Sequence, residues 1–396
     1  MTSLPDAPWR ARAGLDELCT VLGAAAGEVR FVGGAVRDTL LGLDVADVDL
    51  ATVHAPEAVL DRLDAARIRA VPTGLAHGTI TAVIESGPVE VTTLRRDLAT
   101  DGRHATVAFT SDWREDAARR DFAINALYAD PLTGAVFDYF GGLDDLAERR
   151  VRFIGDPLIR IAEDHLRILR FFRFLARFGD APDADGLAAC SRRANDLMAL
   201  SRERIRDELL KLLVARDAVR VTALMLDHGI LLPVLPEVAS TDRLTWLAQR
   251  EAAVGIAPDP LRRLVALLPR DAVAEVGARL KLSNLQRKRL EIAAEDAGDF
   301  SPQALGYRLG IEGAIDRLLL SDRPLADIAA LAGWVPPRLP VSGGVLVGRG
   351  LSRGPLVAAT LHGIEDAWIA AGFPDGDALA AIVDQAVDAA LRAESS

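Results

Sequence analysis

Two kinds of hydrophobic spacing divide the chain. Up to about residue 143, short apolar or β-branched runs alternate with helix-like stretches; beyond it, apolar residues recur at intervals of three and four. Strand-type runs cover residues 29–32, which end on Gly33 and Gly34, and then residues 48–53, 79–84 and 89–94. The last two are separated by Ser86-Gly87-Pro88, a hairpin-like turn. Further strand signals lie at 105–109 and 135–139, the second led in by the turn Asp130-Pro131-Leu132-Thr133-Gly134. Helical spacing covers 56–66, 159–178, 202–214 and 218–228. A Pro- and Gly-rich break at 334–354 precedes final helices from about residues 355 and 376. The pattern predicts an α+β chain, with a small mixed-sheet head followed by a long all-helical remainder.

Length and composition narrow the class. With 396 residues, two to four domains are expected. Half of the residues are hydrophobic and 26% are charged, as in soluble globular proteins. Cys19 and Cys190 stand far apart with no partners at metal-ligand spacing, which argues against a disulfide scaffold or a zinc site and fits a reducing compartment. The first residues lack a signal-peptide core, and no stretch approaches the ~18 apolar residues of a membrane span. A cytoplasmic protein with no membrane partner is the expectation. With 46 basic and 57 acidic residues the net charge is −11, which opposes coating of nucleic acid by bulk charge but leaves room for a local basic groove.

Chemistry concentrates in residues 31–52, FVGGAVRDTLLGLDVADVDLAT. Gly33 and Gly34 after a short strand let the backbone approach a phosphate chain with its N–H groups. A helix starting near Ala35 would turn its positive end to the same anion. Asp47 and Asp49 flank Val48 on the next predicted strand. Side chains two apart on a strand face the same way, so both carboxylates can converge on a hard divalent ion.

This segment resembles the head of class II CCA-adding enzymes and bacterial poly(A) polymerases, a branch of the polymerase-β-like nucleotidyltransferases. That family carries G-G-x-x-R-D followed by D-x-D, matched here by Gly33, Gly34, Arg37, Asp38, Asp47 and Asp49, and the match makes Arg37, with Gly33 and Gly34, a candidate contact of the nucleotide's triphosphate. The run from Val89 to Arg95 resembles the strand beside the family's aspartates, where Glu90 is either a third carboxylate or a solvated strand residue. The run from Arg119 to Ala126 resembles R-R-D-F-T-I-N-A, with Ala123 in place of Thr, and the resemblance gives Arg120, Asp121 and Asn125 to the ribose and triphosphate. Glu163 to Arg167 resembles E-D-x-x-R, in which Asp164 and Arg167 read the nucleobase from one helical face, with Arg170 continuing the spacing. Residues 201–213 resemble E-R-I-x-x-E-L, with Glu203 and Arg204 bracing that helix. Arginines from Arg167 through Arg177 offer a route for phosphates or a solvated face.

The resemblance implies a head at 1–142, a neck at 143–215, a body at 216–333 and a tRNA-binding tail at 334–396. It implies tRNA, CTP and ATP as partners, two Mg2+ ions held by Asp47 and Asp49, catalytic roles for Asp47, Asp49 and Glu90, and addition of C, C and A without a nucleic-acid template. Poly(A) addition, CC-only or A-only addition, and a non-catalytic tRNA-binding scaffold are the alternatives. Asp101-Gly102-Arg103-His104 resembles the flexible loop of full CCA-adding enzymes, and the run from Leu346 to Leu351, followed by Trp368, resembles the ending of their proteobacterial members.

Overall fold

A computed structural model describes residues 2–100, 105–352 and 354–394, so the run 101–104 named above lies outside the described residues. The chain divides into two compact units, Met1–Pro236 and Glu237–Ser396.

Nine strands dominate the first half of unit one: β1 (Val29–Val32), β2 (Asp49–Thr52), β3 (Arg69–Gly74), β4 (Thr79–Ile84), β5 (Gly87–Thr93), β6 (Arg95–Thr100), β7 (Ala105–Phe109), β8 (Leu127–Ala129) and β9 (Val136–Asp138). Seven form one sheet in the order β3-β4-β5-β2-β1-β8-β9, while β6 and β7 pair separately. Every neighbouring pair in the large sheet is antiparallel except β2 and β5. That parallel pair requires a crossover, supplied by the helix Pro56–Ala65 and the β3–β4 hairpin.

Two expectations shift here. The strand expected over 48–53 begins at Asp49, so Asp47 and Val48 belong to the irregular lead-in at 43–48. The hairpin turn sits at Glu85 and Ser86, because Gly87 and Pro88 already pair with Ile84 and Val83. Pro88 is tolerated there since β2 joins β5 only from Glu90 onward, leaving no ladder bond for its missing N–H.

One sheet face carries a cluster of Val32, Ala51, Leu94, Ala117, Ala123, Ala126, Tyr128 and Ile154. The helix α1 (Trp113–Ala118) covers it through Ala117, and the 3-10 turn Ala123–Asn125 covers it through Ala123. Beyond the cluster, toward the start of β2, the same face ends on part-buried Asp49 and exposed Glu90.

The helices of the rest of unit one include α2 (Pro157–Glu163), α3 (Leu166–Phe178) and α4 (Arg202–Leu213). The single helix expected over 159–178 is broken: Asp164 is extended, at φ −152° and ψ 107°. Its carboxylate accepts from the Leu166 backbone N–H at 3.1 Å, restarting the helix in the manner of a cap. On α3 the buried Ile168, Leu169, Phe171, Phe172 and Leu175 form the apolar face that its spacing predicts. Phe171 stacks on Phe153 at 5.5 Å, and Phe122 lies 5.3 Å from Phe174, so aromatic contacts join this helix to the segments before β8 and after β9.

Every element of unit two among its described residues is a helix, the long ones at Pro302–Leu319, Pro355–Ala370 and Gly376–Glu394. The expected break at 334–354 holds a short helix, Gly343–Gly348. Leu346, Leu351, Ile364, Trp368 and Val383 form one of its cores. A second interior is ionic: Arg262 bonds to Glu251 and Asp316, Arg263 pairs with Glu251, and Arg289 pairs with Asp316. Among the described residues, no helix is long and apolar enough to cross a membrane.

Candidate functional site

The geometry starts at Gly33, whose backbone stands at φ 68° and ψ −120°, open to glycine and strained for any other residue. Its N–H donates to the Leu127 carbonyl and its carbonyl accepts from Arg37, fixing the bend between β1 and the short helix Gly34–Leu40. The antiparallel register of β1 on β2 pairs Phe31 with Leu50, and one step on it sets Val32 opposite Asp49, with Gly33 next. Asp47 is exposed, Val48 buried, Asp49 part-buried and Leu50 buried, so burial alternates into β2 from the lead-in that carries Asp47. The parallel register pairs Asp49 directly with Glu90. Burial, followed by the charges of Glu90 and Asp47 and opposed by Arg120, pushes the Asp49 carboxyl up to about 6.

Three carboxylates and a nearby cation thus share one patch beside the diglycine bend. The donor set, hard carboxylate oxygens outnumbering the one neighbouring guanidinium, fits a hard divalent ion. Among the described residues, no group of three or more His, Cys, Asp or Glu side chains is gathered at ion-holding distance.

Arg120 borders this patch, with its Nη1 3.6 Å from the point where a Cβ on Gly33 would sit. Its Nε and Nη2 donate to Asp116 at 3.3 and 3.0 Å, and Nε also reaches the Tyr128 hydroxyl at 3.2 Å. Asp121 and Asn125 face inward. Asn125 Nδ2 and the Phe122 N–H donate to Asp121 Oδ1 at 3.0 and 2.9 Å, and Arg170 Nε donates to Oδ2 at 2.7 Å. Burial alone would raise the Asp121 carboxyl; Arg170, with Asn125 and Phe122, outweighs it and holds the group below the ordinary carboxylate range. Arg37 is buried, donates to Asp38 at 2.7 Å and to Asn125 Oδ1, and lies 4.2 Å over the Phe178 ring. Its guanidinium therefore braces the segment behind the diglycine bend, where sequence alone suggested a phosphate contact.

The Arg167 backbone N–H donates to the Asp164 carbonyl at 3.0 Å, but the two side chains take other partners. Arg204 donates to Asp164 at 2.9 Å, while Arg167 pairs with Glu163 and donates to the backbone carbonyls of Arg160 and Arg119 at 2.9 and 3.0 Å. The break at Asp164 takes the pair off a common helix, although both stay part-buried at the same helix start. The arginine run on α3 is likewise committed: Arg170 to Asp121, Arg173 to Glu208 and Arg177 to Asp38. It is an internal brace more than an open cationic track.

Sequence reasoning gave no role to Asp116 and met Asp38 and Glu208 only as members of family motifs, yet these carboxylates hold arginines of the site. The spacing Asp116-x-x-Arg119-Arg120 carried a signal for the first, since residues three and four apart meet on a helix. The partners of the other two lie across the fold, as in Arg177 with Asp38, and leave no local trace.

Comparison with known proteins adds independent findings. Residues 29–152 match the poly(A) polymerase head domain, and residues 182–241 match a probable RNA- and SrmB-binding site of polymerase A. The mitochondrial CCA tRNA nucleotidyltransferase 1 of Mus musculus is 35% identical over 91% of this chain and 87% of its own. A CCA-adding enzyme of Levilactobacillus brevis is 30% identical over 88% of this chain and 91% of its own. The solved structure of the Bacillus stearothermophilus CCA-adding enzyme in complex with CTP superposes with a TM-score of 0.71 at 25% identity, covering 96% of this chain and 99% of that one. The Thermotoga maritima CCA-adding enzyme complexed with tRNA has the same TM-score at 18% identity, a likeness of fold.

Proposed function

From the premise that this chain belongs to the CCA tRNA nucleotidyltransferase family, we propose that it adds C, C and A to the 3′ end of tRNA, using CTP and ATP and releasing pyrophosphate. The observation that carries the reading is the parallel register that sets Glu90 against Asp49, with Asp47 two residues earlier and the Gly33 bend alongside.

In this reading Asp47 and Asp49 hold two Mg2+ ions and Glu90 completes the acidic patch. When bound, these ions supply activation of the 3′-hydroxyl and charge neutralisation at the leaving pyrophosphate. Gly33 and Gly34 let the triphosphate approach the backbone, and Arg120 meets its charge from the other side of the bend. Asp121, Asn125 and Arg170 form the wall on which the ribose rests. Asp164 and Arg167 exchange their present partners, Arg204 and Glu163, for the Watson–Crick edge of an incoming C or A, an acceptor and a donor set suited to both bases. We assign head, neck, body and tail to residues 1–142, 143–215, 216–333 and 334–396, the tail contacting tRNA.

The test is incubation with tRNA lacking its terminus and each labelled nucleotide in turn. Addition of C, C and A followed by arrest is expected. A long A tract would indicate a poly(A) polymerase, C alone a CC-adding relative, and no addition a binding scaffold. Asp47→Ala and Asp49→Ala are each expected to abolish incorporation while tRNA still binds; near-normal incorporation by either variant would remove the metal assignment.

A further inference from the structure

Asp116 is 1% exposed, yet its two oxygens accept from four different residues. Oδ2 takes Arg120 Nη2 at 3.0 Å and the Tyr128 hydroxyl at 2.7 Å. Oδ1 takes Arg119 through Nη2 at 2.7 Å and Nε at 2.9 Å, and the backbone N–H of Arg95, the first residue of β6, at 3.2 Å. Arg119 Nε in turn donates to the Arg95 carbonyl at 3.0 Å, and the Arg119 carbonyl accepts from Arg167. One carboxylate therefore ties together the arginine beside the diglycine bend, the start of β6 and, through Arg119, the arginine at the head of α3.

The division of labour between the oxygens matters. A guanidinium on a flexible stem has many rotamers, and a buried carboxylate gripping two of its nitrogens leaves the third with little freedom. Arg120 Nη1 is the nitrogen left over, and it is the one beside Gly33. Tyr128 strengthens the grip by bonding both Asp116 and Arg120 Nε.

We propose that Asp116 is a positioning residue for the transferase reaction: it sets the Arg120 guanidinium at the diglycine bend, where the nucleotide's phosphates dock, and anchors it to the start of β6. The proposal rests on the reading of that bend as the triphosphate site. It acts through Arg120, so its effect belongs to nucleotide binding and not to tRNA binding.

Asp116→Asn keeps the shape of the side chain but removes the charge that fixes Arg120. In steady-state addition of C and A, the KM for the nucleotide is expected to rise about tenfold, as for loss of a charged hydrogen bond, while the KM for tRNA stays within twofold. A loss of folded protein would instead lower apparent kcat and leave both KM values unmoved. Arg120→Lys and the double variant close a cycle: if Asp116 acts through Arg120, the double variant's nucleotide KM matches that of Arg120→Lys alone. Should Asp116→Asn not fold, Tyr128→Phe removes one hydroxyl from the same grip and is expected to raise the nucleotide KM about two- to threefold. An unchanged nucleotide KM in the folded variants, or effects that multiply in the double, would overturn the proposal. Wild-type protein that adds no nucleotide at all would overturn the transferase reading first.

Discussion

Gly33 and Asp116 show how much depends on single positions. A Cβ on Gly33 would meet nothing closer than 3.6 Å, so space is not the constraint; the backbone angles are. Gly33→Ala is expected to cost about 1–3 kcal/mol in urea unfolding through strain alone, with a raised nucleotide KM because the bend must relax. Asp116 sets a pH dependence. Burial would raise its pKa, but Arg120, Arg119 and Tyr128 outweigh burial and hold the carboxyl well below the ordinary range. A depressed acid contributes stability that is complete above the unfolded value, ~3.9, and is lost as pH falls through the folded one. The stability gap between wild type and Asp116→Asn is therefore expected to be widest near neutrality and to narrow as unfolding is measured toward pH ~3; a gap constant with pH would contradict the assignment. The alternation of burial from Val48 to Leu50 was legible in the sequence, because alternation is a two-residue matter, whereas the start of the strand at Asp49 was not. The burial of Arg37 was not, because its partner Asn125 is 88 residues away.

Elements followed their local patterns wherever one face was buried. β4 and β5 alternate buried and part-buried or exposed positions, and both were readable. β3, a partly exposed edge strand of Arg, Ala, Val, Pro, Thr and Gly, has no such alternation and gave no signal. The break between α2 and α3 was also hidden, since apolar spacing of three and four runs through it. What breaks the helix is a side-chain choice: Asp164 prefers the Leu166 N–H and Arg204 over an interior helical position. Asp164→Ala is expected to raise incorporation of U and G relative to C and A in mixed-nucleotide extension, at a stability cost of about 1 kcal/mol. Retained selectivity would separate the break from base choice. Tight packing makes a second expectation for the 3-10 turn Ala123–Asn125. A Cβ on Gly142 would lie 2.4 Å from the Ala123 carbonyl oxygen, so Gly142→Ala should destabilise by about 1–3 kcal/mol in urea unfolding.

At the scale of the whole molecule, the α+β class and the passage from sheet to helices were read from spacing alone, whereas the division into units at 236 and 237 was not. Interior ion pairs explain part of that silence, because charged residues such as Arg262 and Asp316 read as surface when they are buried. Asp316→Ala would leave buried Arg262 and Arg263 sharing the one carboxylate of Glu251 and is expected to cost about 3–5 kcal/mol, seen as faster amide exchange across residues 237–396 with the sheet of unit one unchanged. A last consequence follows from the committed arginines of α3. Cations already satisfied by carboxylates release few bound ions when a polyanion arrives. Replacing Arg177, held by Asp38, with Gln should therefore leave the salt sensitivity of tRNA affinity nearly flat, whereas an arginine seated on a phosphate would shift the log–log slope by ~0.7–0.9.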